Sequence, residues 1–373
     1  MALIHPQKPI EHTFCDDPQS AYTMAARYYT DEEVYEQEKA AIFWQSWVHV
    51  GHSSKLKNAG DYLTTQLHGQ QVMVMRDEAG DLGAFFNVCP HRGHQLLEGC
   101  GNTRVVVCPY HAWCFDKQGN FLRGRNLQDL KGFSPTDFNL KPVKIEVFLG
   151  FLFVNLDPSA EPMTKIYQGL AEEVRHYVPE IDAVQHQYHA GYEVAANWKL
   201  LIDNFLECYH CSTAHKDFVD LVDMPSYRTK THGHYSSHIS HKPSNANSNA
   251  YKVEGEQTFG YAAWFMWPNL TLWVMPGDAN ISMLQMHPNG LAKCHETLDW
   301  YGLGSTLNQA SKEAITYLDE VLQPEDIGLC ESVQKGLHSL AYNQGRFVVD
   351  EKRSQLSEHG VHHFQQLVIK ALA

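Results

Sequence analysis

Cys89-Pro90-His91 and Cys108-Pro109-Tyr110-His111, with sixteen residues between them, put a thiol and an imidazole on each of two short turns. Two thiolates on one iron and two neutral imidazoles on the other make a [2Fe–2S] cluster whose potential lies above that of an all-cysteine centre. Pro90 and Pro109 follow the cysteines directly, so two loops can clamp one small cluster from opposite sides. Zinc uses the same residue types, but zinc half-sites usually pair Cys with Cys and His with His. Here each half is mixed, and Cys89, His91, Cys108 and His111 are read as cluster ligands of a redox protein.

This mixed ligation is the Rieske type. High-potential Rieske proteins of respiratory chains carry two further cysteines, one per loop, joined in a disulfide, and His94 and Tyr110 hold those places here. A centre without that disulfide suits a reducing compartment and a lower potential, as needed to feed electrons to another metal. Trp113, two residues past His111, fits the same reading.

The chain has 373 residues, enough for two domains with separate cores. Its 43% hydrophobic and 19% charged residues describe a globular protein, and no apolar stretch is long enough to span a bilayer. His5, Lys8, Glu11 and Asp16 interrupt the N-terminus, which lacks the apolar core of a signal peptide, so a cytoplasmic location is expected. A formal charge of −14 argues against a nucleic-acid partner and is compatible with a cationic one. Of nine cysteines, Cys100, Cys114, Cys294 and Cys330 are scattered singly and read as buried thiols, not a disulfide framework.

Thr30-Asp-Glu-Glu33 predicts a capping box, opening a helix that runs through Tyr35, Ile42 and Phe43. From Asp61 onward, alternating runs predict short strands at Tyr62–Leu67, Val72–Met75, Leu82–Val88 and Arg104–Val107, with turns at Asp77–Gly80 and Asp116–Asn120. The apolar run Phe148–Val154 closes this all-β domain or begins the next. Three segments result: an N-terminal helical segment over 1–44 packing on the catalytic domain, a cluster domain over 45–157, and a catalytic domain over 158–373. In the last, Met163–Tyr177, Asn197–Cys211 and Leu307–Leu340 read as helix, and Trp264–Met286 as paired strands. The polar stretch Ser244–Asn249 reads as a surface loop, and His232, His234, His238 and His241 as the polar face of a strand. The order of elements predicts an α+β fold in which an antiparallel sheet grips a long C-terminal helix.

A second metal site is expected at Asp203-Asn-Phe-Leu-Glu207-Cys-Tyr-His210-Cys-Ser-Thr-Ala-His215. Two histidines a little over one helical turn apart can face one metal, and a carboxylate would complete a facial triad suited to non-haem Fe(II) with open positions. Alone, the pair is a weak signal in a chain of 23 histidines. A Rieske centre changes that, because its electrons need an acceptor.

The Rieske motif, then Asn197-Trp198-Lys199, then Asn204-x-x-Glu207-x-Tyr209-His210-x4-His215, resembles the α subunits of Rieske mononuclear non-haem iron oxygenases over nearly the whole chain. Pro324-Glu-Asp326, Glu331–Leu337, Gly345-Arg346 and Ser357–Gly360 are similar to the members acting on quaternary ammonium compounds: carnitine, glycine betaine, choline and stachydrine oxygenases. The resemblance implies a small all-β Rieske domain plus a helix-grip catalytic domain. It implies iron ligation by His210, His215 and Asp326, with Glu325 the fallback carboxylate. Glu207 stands where most of the superfamily has aspartate, and the resemblance makes it the electron bridge from the iron to a Rieske histidine of an adjacent subunit. It further implies O2 as co-substrate, a separate NAD(P)H-dependent reductase with flavin and a plant-type [2Fe–2S] centre, and a homotrimer; no membrane or nucleic-acid partner is expected from the composition above.

A permethylated ammonium has no hydrogen bond to donate, so aromatic faces and carboxylates must recognise it. Phe205, Tyr261, Trp264, Phe265, Trp267 and Trp273 are the candidates for holding a small cationic or zwitterionic substrate. The expected reaction is N-methyl hydroxylation of glycine betaine or stachydrine, releasing formaldehyde. Alternatives are C–N cleavage of carnitine or γ-butyrobetaine to trimethylamine, choline oxidation, an aromatic-acid O-demethylase or ring hydroxylase, and a non-enzymatic Rieske electron carrier.

Overall fold

The short runs after residue 47 become strands because their apolar residues alternate. In the computed structural model, which describes residues 10–241, 248–254 and 260–373, the chain divides into Phe43–Met163 and a second unit of Met1–Ile42 with Thr164–Ala373. His5, Lys8 and residues 244–247 of the expected polar loop lie outside the described residues.

The strands of the first unit are β1 (Val48–His52), β2 (Asp61–Leu67), β3 (Gln70–Arg76), β4 (Leu82–Phe86), β5 (Cys100–Asn102), β6 (Val106–Val107), β7 (Cys114–Phe115), β8 (Phe121–Arg123), β9 (Pro142–Phe148) and β10 (Phe151–Asn155). Seven form one antiparallel sheet in the order β1-β10-β9-β4-β3-β2-β5, and β6-β7-β8 form a small second sheet. β3 is buried on both faces. Val72 and Val74 pack with Val48, Leu63 and Val154, while Met73 and Met75 pack with Phe85, Trp113 and Phe115 beneath the cluster loops. Each such fully buried side chain contributes about 1.5–3 kcal/mol.

Phe148–Val154 is not one run but a hairpin. Leu149 (φ 54°) and Gly150 (φ 84°) form a two-residue turn joining β9 to β10. Two positive φ values match the twist of the flanking strands, and burial of Leu149 offsets its backbone strain.

The second unit begins with α1 (Arg27–Thr30) and α2 (Glu32–Glu38). Here Asp31, not Thr30, caps α2: its carboxylate accepts from Glu33 N at 2.9 Å, whereas the Thr30 hydroxyl turns back to the Ala26 carbonyl. Then come α3 (Met163–Ile166) and α4 (Leu170–Tyr177), the expected single helix being broken at Gly169 (φ 92°). The sheet of this unit runs β11-β17-β16-β15-β14-β13-β12, all antiparallel. Its strands are β11 (Val184–Val194), β12 (Arg228–Thr231), β13 (Tyr235–Ile239), β14 (Ala262–Met266), β15 (Leu270–Val274), β16 (Asn280–Gly290) and β17 (Lys293–Leu303). Against it pack α5 (Trp198–Phe205) and α10 (His359–Leu372), with α9 (Gln323–Gly336) lying on α5, while α6 (Cys211–Ala214), α7 (Lys216–Leu221) and α8 (Gln309–Tyr317) complete the unit.

The long helix expected over Leu307–Leu340 is interrupted by a π turn at Leu318–Leu322. Pro324 has no N–H for the carbonyl four residues earlier, so the helical ladder opens there and closes again in α9. His238 is not on a polar face: it is 1% exposed, contacts the Tyr227 hydroxyl at 3.1 Å, and burial pulls it down to about 3. Of the four single cysteines, Cys114, Cys294 and Cys330 are buried as expected, but Cys100 is exposed on the edge strand β5.

A buried ion pair ties α2 to α5. Lys199 Nζ meets Glu38 Oε1, both side chains essentially inaccessible, and Trp198 Nε1 donates to Glu38 Oε2 at 2.8 Å. Lys199→Met should destabilise the fold by about 3–5 kcal/mol, because Glu38 is left charged and unpaired, while adding Glu38→Gln should recover most of the loss. Denaturant midpoints of the single and double variants measure this.

Candidate metal centres and substrate cavity

The two cluster loops repeat one design. In the first, Gly93 N donates to the Cys89 carbonyl at 2.9 Å and Cys89 N to the His94 carbonyl at 2.8 Å; in the second, Ala112 N donates to Cys108 at 3.0 Å and Cys108 N to Trp113 at 2.8 Å. Gly93 and Ala112 carry the positive φ that closes each turn. Asn87 pins the first loop, its Oδ1 accepting from Leu96 N and Leu97 N at 3.2 and 2.9 Å. Trp113 stacks on the His91 ring at 4.6 Å, and His94 faces Tyr110 at 5.9 Å across the two loops.

These residues fit a Rieske cluster. Cys89 and Cys108 are free and 2% exposed, and Nδ1 of both His91 and His111 is buried with no hydrogen-bond partner among the described residues. Burial, with Cys108 alongside, pushes the Cys89 thiol up to about 11, and a bound metal would favour its thiolate. Burial also holds His111 below the usual imidazole range, neutral as a ligand must be.

The second centre is built on chain breaks. The expected helix over Asn197–Cys211 ends at Phe205, and His210 and His215 flank the single-turn α6. Glu207 folds the intervening turn: its Oε2 accepts from the N–H groups of Tyr209 and His210, and its Oε1 meets His210 Nδ1. The far nitrogen of His215 is held likewise, Nδ1 lying 2.8 Å from Glu325 Oε2.

Both Nε2 atoms then turn to one oxygen. Asp326 Oδ1 is 2.9 Å from His215 Nε2 and 3.6 Å from His210 Nε2, the two nitrogens are 3.1 Å apart, and Asn204 Nδ2 donates to the same oxygen at 2.6 Å. Donors about 2.1 Å from one ion at right angles lie about 3 Å apart, so the triangle fits a facial triad. Glu325, the alternative carboxylate, orients His215 from behind. Burial works against charge here, yet hydrogen bonds with Asp326 and Glu207 push His210 up to about 10, and those from the two histidines bring Asp326 down to about 2. The donor set thus draws positive charge into a buried place.

A cavity opens beside this triangle, lined by Phe205, Tyr227, Tyr261, Trp273, Leu284 and Glu296 among others. Three of the six aromatic candidates are therefore at the cavity and three are not. Trp264 faces the other side of the sheet and donates to Glu173 Oε2 at 3.0 Å; Phe265 and Trp267 lie against Phe364 of α10. Period-two alternation and the covering helix make these core residues. Sequence reasoning missed Asn204's bond to Asp326, the Cys208–Cys211 disulfide straddling His210, and Glu296. Each had a signal: the Asn204 motif, a Cys-x-x-Cys spacing, and a glutamate on the apolar parity of Cys294, Leu298 and Trp300. A further His186–His189–Asp299 group lies on the sheet's outer side, both imidazoles meeting Asp299 Oδ1 at 2.7 and 2.9 Å.

Residues 46–134 match the Rieske [2Fe-2S] domain, and residues 181–373 match the ring hydroxylating alpha subunit (catalytic domain). The carnitine monooxygenase oxygenase subunit of Escherichia coli (strain K12) is 37% identical over 99% of this chain and 98% of its own length. The chain belongs to the Rieske non-haem iron oxygenases, in the quaternary-ammonium group. The chloroplastic choline monooxygenase of Spinacia oleracea is 31% identical over 93% of this chain and 77% of its own length. The solved structure of the quaternary ammonium Rieske monooxygenase CntA in complex with L-carnitine superposes with TM-score 0.86 at 34% identity, covering 96% of this chain and 98% of that one. Naphthalene 1,2-dioxygenase from Rhodococcus sp. shares the fold, TM-score 0.77 at 22% identity over 93% and 94% of the two chains.

As a Rieske oxygenase the protein carries a [2Fe–2S] cluster and mononuclear iron, uses O2, and as the oxygenase subunit works with a reductase. Among the described residues, no helix is long and apolar enough to cross a membrane. Asp326→Ala should abolish mononuclear iron binding while the Rieske absorption spectrum persists, and Glu325→Ala should retain iron at reduced affinity, by about 10–100-fold. Iron per chain by elemental analysis, before and after chelator challenge, separates the two carboxylates.

Proposed function

We propose that the chain is the terminal oxygenase of a two-component monooxygenase that hydroxylates a small quaternary ammonium compound of the carnitine type beside its nitrogen. The observation that carries this reading is the cavity: aromatic faces of Phe205, Tyr227, Tyr261 and Trp273 with the buried carboxylate of Glu296, next to the triangle of His210, His215 and Asp326. In this proposal Cys89, His91, Cys108 and His111 hold the cluster in a domain spanning Phe43–Met163, and His210, His215 and Asp326 hold the iron. When bound, the cluster stores electrons one at a time and the iron activates dioxygen.

The residues do the rest. Aromatic faces attract the ammonium and exclude water, worth about 0.5–2 kcal/mol per face. Glu207 and Glu325 fix the two imidazoles from behind. Glu207 is also proposed as the electron bridge to the cluster of an adjacent copy in a homotrimer; the CntA structure bears on inter-subunit electron transfer in that protein. A flavin and [2Fe–2S] reductase using NAD(P)H would be the electron source. Hydroxylation consumes one O2, two electrons and two protons, and releases one water. A hydroxyl on the carbon bearing nitrogen then collapses with C–N cleavage, giving trimethylamine from carnitine.

Choline oxidation is the second reading, favoured by one observation: the described cavity lining contains no Lys or Arg to pair a substrate carboxylate. N-demethylation of glycine betaine or stachydrine, first in line from sequence, has the support of the cavity but of none of the relatives above.

With a compatible reductase, oxygen uptake should be highest with carnitine or γ-butyrobetaine and should yield trimethylamine. Formaldehyde from a betaine would move the protein to the demethylases, betaine aldehyde from choline to the second reading, and turnover of vanillate alone would overturn the quaternary-ammonium assignment. Glu207→Gln should keep both metals while slowing cluster reoxidation in single turnover by at least about tenfold; an unchanged rate would remove the bridge.

A further inference from the structure

Glu296 lies on β17, on the face occupied by Cys294, Leu298 and Trp300, and is 3% exposed. Its carboxylate lines the cavity, and it has no hydrogen-bond or ion-pair partner among the described residues. Every other acidic side chain in this lining has a partner: Glu207 is held by His210 and two backbone N–H groups, and Asp326 by His210, His215 and Asn204. Burial, with Asp326 nearby, pushes this carboxyl up to about 8, so a counter-charge is needed for it to ionise fully. The described lining offers no Lys or Arg for this purpose.

Aromatic rings complete the enclosure. Phe205 stacks on Trp273 at 5.4 Å and an interplanar angle of 21°, and Tyr261 stacks on Tyr227 at 6.3 Å and 16°. A cation without N–H groups gains from ring faces and from a point charge but cannot use hydrogen-bond acceptors. Two ring pairs and one free carboxylate match that chemistry better than they match a primary ammonium, which needs several acceptors.

We propose that Glu296 is the counter-ion of the substrate's quaternary ammonium group, and so the residue that makes this cavity choose a cation over a neutral molecule of the same shape. This deepens the quaternary-ammonium reading and rests on it. Glu296 acts on binding and not on oxygen chemistry, so its loss raises KM more than it lowers kcat.

The experiment compares the holoenzyme with Glu296→Gln, and with the apolar, near-isosteric Glu296→Leu should the first fail to fold; both are checked for an intact Rieske spectrum and iron content. Two probes are used: the best quaternary substrate, and its neutral isostere with carbon in place of nitrogen, read as a competitive inhibitor. The variant should raise KM for the cation about tenfold or more while the inhibition constant of the isostere moves less than threefold. Equal weakening of both probes, or an unchanged KM, would overturn the proposal. Calorimetric binding of tetramethylammonium gives a readout independent of turnover: about tenfold weaker binding in the variant supports the counter-ion, and equal binding refutes it. If wild type oxidises no quaternary substrate but Glu296 still governs tetramethylammonium binding, the functional reading fails and the cation subsite stands.

Discussion

Everything in the catalytic unit serves the convergence of two imidazole nitrogens on one carboxylate oxygen. His210 Nε2, His215 Nε2 and Asp326 Oδ1 come from two stretches more than a hundred residues apart; each imidazole is held at its far nitrogen by a glutamate, and Asn204 donates to the converging oxygen itself. Glu207 and Glu325 fix the rings, and Asn204 fixes the carboxylate. Three carboxylates and two imidazoles gather here, and their hydrogen bonds favour charge on His210 and Asp326 against the cost of burial.

The fold supplies that convergence by interrupting its helices where the ligands must turn. α5 stops at Phe205 so that Glu207 can wrap a turn, and Pro324 opens the ladder ahead of α9 so that Glu325 and Asp326 occupy its first turn. Regular helices would carry these side chains past each other. Interrupted helices lose backbone hydrogen bonds, and buried polar contacts beneath them compensate. Glu38 with Lys199 and Trp198 is one such set; Tyr29 and Gln365 donating to Asp203 Oδ2 at 2.5 and 3.1 Å is another, linking the N-terminal segment, α5 and α10. The second is incomplete, since Asp203 Oδ1 has no partner among the described residues, and burial pushes this carboxyl up to about 7.

Legibility followed distance along the chain. The two Cys/His loops were readable because each is five residues long and closes on itself through one backbone hydrogen bond and one positive-φ residue. The histidine pair was readable for a similar reason, although the supposed helix between them is a single turn. The aromatic candidates divided evenly because a list of Tyr, Trp and Phe positions carries no information on which face a helix covers; Tyr261 and Phe265 share a strand parity, yet Phe364 takes one of them into the core. The hairpin at Leu149-Gly150 was hidden because a buried Leu in a positive-φ turn looks like an uninterrupted apolar run.

By itself the sequence determined the family: two thiols, two imidazoles and two prolines at short spacing mark the Rieske domain, and the motif around the second histidine pair marks the catalytic domain. Only the tertiary structure decided which carboxylate meets both imidazoles, which aromatic rings reach the cavity, and that Glu296 stands there without a partner among the described residues. Ligand type is a property of residues close in sequence, whereas a cavity is made by strands and helices whose contacts are long-range. Side-chain direction across such contacts depends on register and on helix breaks, and these emerge only when the elements pack.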